Sequence, residues 1–152
     1  HPKNAGNKAF SGADFFSFAS ANKANPALKY YLVKSADGSL YALNITDQSA
    51  FSNFFEYKTM SDYTNSEREF KIESDIGGDI YTVKSDLAKK GKSKQESYEL
   101  ALAFVLKKYN MGLGLSKMDS NGDFKPLFVN ETTPDPQKQK KKNYEKTDNC
   151  NL

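Results

Sequence analysis

Apolar and polar positions follow two rhythms along this chain, one helical and one alternating. Residues 1–10 (HPKNAGNKAF) show neither; they are rich in Asn, Gly and Lys and read as loop. Ser11-Gly12-Ala13-Asp14 then fits a helix-opening capping box with Asp in the usual place of Glu. Phe15, Phe18 and Ala19 follow at helical spacing and give that helix an apolar face. Asn25-Pro26 ends it, because proline disfavours helical geometry in the residue before it.

The alternating rhythm is clearest in Lys29–Lys34 (KYYLVK) and Leu40–Ile45 (LYALNI). Asp37-Gly38 in the intervening 35–39 segment is a strong turn signal, so the two runs predict a hairpin. Thr46 or Asp47 caps a second helix that buries Phe51, Phe54 and Phe55. Residues 59–79 are ambiguous, with 63–76 either a short helix or an irregular excursion. Gly77-Gly78 reads as a break, 79–83 as a short strand, and 84–90 as a solvated turn or short helix. Ser93 and Glu96 form a second capping box. The helix they open carries Tyr98, Leu102, Val105 and Tyr109 as one apolar stripe and stops at Asn110 or Gly112. A last hairpin is expected from 113–118 and 124–129, joined by Asp119-Ser120-Asn121-Gly122-Asp123. These elements predict an α/β (α+β) domain over 1–130, with two hairpins in a mixed sheet and about three helices beside it. From Glu131 onward Pro and Lys replace apolar residues, so 131–152 reads as a C-terminal tail or an extended wrap.

Composition narrows the possibilities. The 152 residues include 11 Phe and 9 Tyr, enough for a real core. No window approaches the roughly 18–20 apolar residues of a bilayer-spanning helix. The net charge of +3 is mild and both signs are interspersed, so a nucleic-acid partner is not expected. The Lys138–Lys142 run lacks interleaved aromatics for stacking bases and reads as solvated. Cys150 is the one cysteine, which excludes an internal disulfide and a cysteine-based zinc site. The chain opens on His1 without a signal or transit peptide, which predicts that residues upstream have been removed.

Few motifs carry chemistry. Asp119–Asp123 has acidic residues but lacks the glycine and glutamate spacing of a calcium loop, so a plain turn is expected. Gly112-Leu113-Gly114 lacks the third glycine of a dinucleotide fingerprint and precedes a strand. His1-Pro2 and Ser11-x-x-Asp14 remain. An imidazole and a carboxylate suit zinc, and a helix amino end adds a field that favours an oxyanion. The same four residues also fit an ordinary helix cap.

The order His1-Pro2, Ser11-x-x-Asp14, Phe-rich helix and YYLVKSADGSLYALNI hairpin resembles the later half of a JAB/MPN (JAMM) metallopeptidase-like domain. It is most similar to divergent copies near the C-termini of bacterial surface and polymorphic-toxin proteins. The resemblance covers about residues 1–47 and implies a secreted or cell-surface setting. It implies zinc held by His1 and Asp14, with Ser11 as oxyanion donor, and hydrolysis of an amide or isopeptide bond in a protein or peptide. The pattern's other His and its proton-handling Glu are absent from these 152 residues. The resemblance therefore implies a truncated or degenerate domain, inactive as this chain. A second expectation is a non-catalytic interaction or effector module that meets a protein partner through Tyr30, Tyr41 or Tyr57. A third is a toxin-type nuclease, for which Arg68 is the one arginine available.

Overall fold

The computed structural model describes residues 9–132 and 142–148. In chain order the elements are α1 (Gly12–Ala24), β1 (Tyr30–Lys34), β2 (Leu40–Ile45), α2 (Gln48–Phe55), α3 (Met60–Tyr63) and α4 (Asp75–Lys89). They continue with α5 (Lys94–Lys108), β3 (Leu113–Met118), β4 (Phe124–Pro126), β5 (Phe128–Thr132) and β6 (Asn143–Thr147). The class is α+β, as the sequence predicts. Strands run β1-β2-β3-β4 in one sheet and β5-β6 in a second. Where the pattern suggested a mixed sheet, every pairing is antiparallel.

The pleat divides the larger sheet into two unlike faces. Tyr31, Leu43 and Leu115 lie in register, as do Val33, Tyr41 and Lys117. This face turns toward the helices: Phe18 of α1 stacks on Tyr31 with ring centroids 5.4 Å apart. The opposite face carries Tyr30, Leu32 and Phe124, all exposed. The core also gathers Phe10, Phe15, Phe18, Phe51, Leu87, Leu100, Leu102 and Met111, each fully buried. Offset and edge-on rings such as Phe51 and Phe55, 5.1 Å apart, add specificity to that burial.

Helix α5 is more central than its stripe suggests. Every residue from Ser97 to Leu106 is buried, so the helix is enclosed on all sides rather than amphipathic. Its Glu99 stays inside because Tyr41 Oη donates to it at 2.5 Å and Lys117 Nζ lies 3.1 Å away.

Four local expectations are corrected. Gly77-Gly78 does not break the chain and 79–83 is not a strand, because both lie in α4. Ser74 caps that helix, its hydroxyl accepting the Gly77 N–H at 3.0 Å. A Cβ on Gly77 would meet the Lys71 carbonyl at 1.9 Å, so glycine is required by close backbone approach, not by flexibility. The last hairpin covers only β3 and β4, and the chain beyond Leu127 leaves that sheet to pair β5 with β6. Residues 143–147, expected within the tail, therefore form a strand. Tyr144 is buried edge-on against Phe104 with centroids 5.0 Å apart. The lysines at 138, 140 and 141 and Cys150 lie outside the described residues.

Candidate functional site at the amino end of α1

The resemblance singles out Ser11 and Asp14, and the structure brings these two together. Ser11 takes extended backbone angles (φ −78°, ψ 162°) and α1 begins at the next residue. Asp14, one turn in, folds back so that its Oδ2 accepts the Ser11 N–H at 2.7 Å and the Ser11 hydroxyl at 2.8 Å. Both residues are half-buried. The local sequence explains the fold-back: a short carboxylate at the third helical position reaches the cap residue's own donors. Asp14 Oδ1 accepts no hydrogen bond from any described residue, which leaves one carboxylate oxygen open.

The corner is held from behind by residues far along the chain. A Cβ on Gly12 would lie 2.8 Å from the Phe70 nitrogen, so glycine lets the 64–70 loop press against the start of α1. That loop is closed by a bridge between Thr64 and Phe70 and tied to α1 by the Ala13 N–H, which donates to the Arg68 carbonyl at 2.9 Å. Asn65 Oδ1 accepts the Glu67 and Glu69 N–H groups, both at 3.0 Å, and so shapes the turn that presents Glu69. From α5, the buried Tyr98 hydroxyl lies 2.7 Å from the Phe10 carbonyl and 3.0 Å from Glu69 Oε2, one proton serving both acceptors. Burial pushes the Tyr98 hydroxyl well above its ordinary pKa, and the charges of Glu69 and Asp14 push the same way. Tyr98 therefore stays a neutral donor beside two carboxyl groups.

A cleft of about 140 Å³ is lined by Glu69, Phe70, Ile72, Ile80, Lys84 and Tyr98, and neither Ser11 nor Asp14 is part of its lining. A separate groove of about 690 Å³ lies between α1 and α2, with Phe16, Phe51 and Phe55 as its apolar lining.

His1 lies outside the described residues. Among the described residues, no group of three His, Cys, Asp or Glu side chains is placed to hold a metal ion. Sequence reasoning missed Glu69 and Tyr98: the first stood in the ambiguous region, and the second was read only as part of the core stripe. The alternating polar pattern of 119–123 proves to be a turn in which Asp119 Oδ1 accepts the Asn121 and Asp123 N–H groups at 2.9 and 3.0 Å. Of the tyrosines expected to be exposed, Tyr30 and Tyr57 are, at 66 % and 89 %, whereas Tyr41 is fully buried. Its place on the inner face, opposite Glu99, is fixed by the strand register. No helix among the described residues is long and apolar enough to cross a membrane. The chain matches no protein-family model, no curated protein and no solved structure.

Proposed function

We propose that the amino end of α1 is part of a zinc-dependent amide-hydrolase site of the JAB/MPN type, with Asp14 and His1 as metal ligands. The observation that supports it is the paired Ser11 and Asp14 side chains at a helix amino end, 2.8 Å apart and half-buried. The donor chemistry fits in part. Asp14 offers a hard oxygen with one lone-pair face open, and a carboxylate is an ordinary zinc ligand. The described residues supply that one ligand and not a set. When bound, zinc would supply a hydroxide near neutral pH and polarise the scissile carbonyl.

The chain's own residues have definite tasks in this reading. Ser11 holds Asp14 in one rotamer through two hydrogen bonds, which orients the open oxygen. The Ser11 hydroxyl, whose one proton goes to Asp14 in this structure, would have to turn from Asp14 to donate to a developing oxyanion, while the positive end of α1 favours negative charge there throughout. Tyr98 fixes the Phe10 carbonyl, and with it the approach of the chain to Ser11. The substrate class is a protein or peptide amide.

Zinc titration by calorimetry tests the reading. One zinc equivalent is expected to bind the wild-type chain, with binding lost in Asp14→Ala and weakened in Ser11→Ala. Heats unchanged by Asp14→Ala would defeat it. A non-catalytic interaction module is the second reading, favoured by the exposure of Tyr30 and Tyr57.

A further inference from the structure

The structure points to a second interaction, independent of the α1 corner: we propose that β1 is a self-association edge that pairs antiparallel with β1 of a second copy of this chain. The hydrogen-bond phase of the sheet decides which groups are free. Ile45 N–H donates to the Lys29 carbonyl at 3.0 Å, and Ser35 N–H donates to the Ser39 carbonyl at 2.9 Å. Between these anchors the register pairs Tyr31 with Leu43 and Val33 with Tyr41. In an antiparallel ladder, alternate residues turn their N–H and C=O toward the same neighbour. Lys29, Tyr31, Val33 and Ser35 therefore face β2, while Tyr30, Leu32 and Lys34 turn theirs to the open edge. β1 ends the sheet order, and no described residue bonds those outward groups.

The side chains of the same residues are also uncommitted. Tyr30 is 66 % exposed and Leu32 57 %, and Phe124 extends the apolar face on β4. Unprotected edges of this kind are blunted in most proteins by inward charges, proline or a bulge. Tyr30–Lys34 (YYLVK) has none of the three, and the one edge lysine, a further guard of this kind, is Lys34 at the strand end.

One register makes this strand complementary to itself. A two-fold axis through Leu32 sets Leu32 against Leu32 of the copy as a hydrogen-bonded pair. It sets Tyr30 against Lys34 of the copy and Lys34 against Tyr30, so that all three outward residues find partners. Each ammonium then lies beside an aromatic ring, an attractive pairing, and no two lysines stand opposite each other. On the other face Tyr31 meets Val33. Two four-stranded sheets would join into one across the axis.

Sedimentation velocity on the full chain at ~100 µM tests this, a concentration that populates a dimer with a dissociation constant in the tens of micromolar. Wild type is expected to dimerise. Tyr30→Lys puts lysine opposite lysine at two symmetric positions and is expected to weaken the dimer by about tenfold or more. Adding Lys34→Glu to that variant restores attraction and is expected to recover association. Leu32→Pro removes an outward N–H that β2 does not use, and gives a monomer with unchanged far-ultraviolet circular dichroism. A wild-type chain that stays monomeric overturns the proposal, as does a dimer indifferent to Tyr30→Lys. Either result leaves the zinc reading untouched, because Ser11 and Asp14 are not on this edge.

Discussion

Replacing Tyr98 by Phe removes one oxygen atom from a place where water does not reach. The Tyr98 hydroxyl donates to the Phe10 carbonyl at 2.7 Å and also lies 3.0 Å from Glu69 Oε2. Phenylalanine fills nearly the same space, so the cost is not a cavity but a carbonyl left without its donor. An orphaned buried acceptor costs about 1–3 kcal/mol, and the shared proton means the two contacts do not add in full. The expected loss is about 2 kcal/mol, which for a chain of this size lowers Tm by roughly 4–8 °C. Urea unfolding followed by circular dichroism measures it, with Tyr30→Phe, at an exposed position, as the control expected to change stability by less than about 0.5 kcal/mol. The alkaline limb gives an independent reading. A phenol whose pKa is raised by folding contributes stability that is complete below its unfolded value near 10 and is lost as pH rises toward its folded value. Wild type is therefore expected to lose up to about 1.4 kcal/mol per pH unit above pH 10 through this one group, so that Tyr98→Phe shows a shallower alkaline limb, its remaining slope coming from Tyr41, Tyr109 and Tyr144, whose hydroxyl pKa values burial also raises. A variant as stable as wild type at pH 7, with the same alkaline slope, would refute the account of the corner.

Two glycines side by side should respond oppositely to alanine. At Gly77 a Cβ would sit 1.9 Å from the Lys71 carbonyl, and the overpacking cost of about 2–3 kcal/mol exceeds the helix-propensity gain of about 1 kcal/mol. At Gly78 the nearest atom, the Ile72 carbonyl, is 3.3 Å away, so Gly78→Ala is expected to be neutral or mildly stabilising in the same urea assay. Tyr144→Ala should cost about 3 kcal/mol, since it removes the ring packed on Phe104; an effect below about 0.5 kcal/mol would show that β6 contributes nothing to the fold.

What was legible in the sequence was local. The helix opened by Ser11, the hairpin around Asp37-Gly38 and the helix capped by Ser93 each announce themselves through contacts within a few residues, and each is present. What was hidden depended on distant partners. Gly77-Gly78 looks like a helix breaker until the Lys71 carbonyl is seen against it. β6 has one buried apolar side chain, Tyr144, too little for a periodic signal, and its pairing with β5 spans an intervening segment. The site divides in the same way. Ser11 and Asp14 were readable as a four-residue pattern, but Glu69 and Tyr98 reach it from the 64–70 loop and from α5, and no spacing rule connects them. Tyr41 illustrates the converse: its strand was predicted, but only the register says which way the ring turns.

The central claim, a metal ligand at the start of α1, is tested most directly by anomalous scattering at the zinc edge. Crystals of the chain soaked in zinc should show a peak about 2.0–2.2 Å from a carboxylate oxygen of Asp14, with imidazole nitrogen of His1 in the same shell. A difference map with zinc bound elsewhere, and the Asp14 carboxylate still committed only to Ser11, would contradict it.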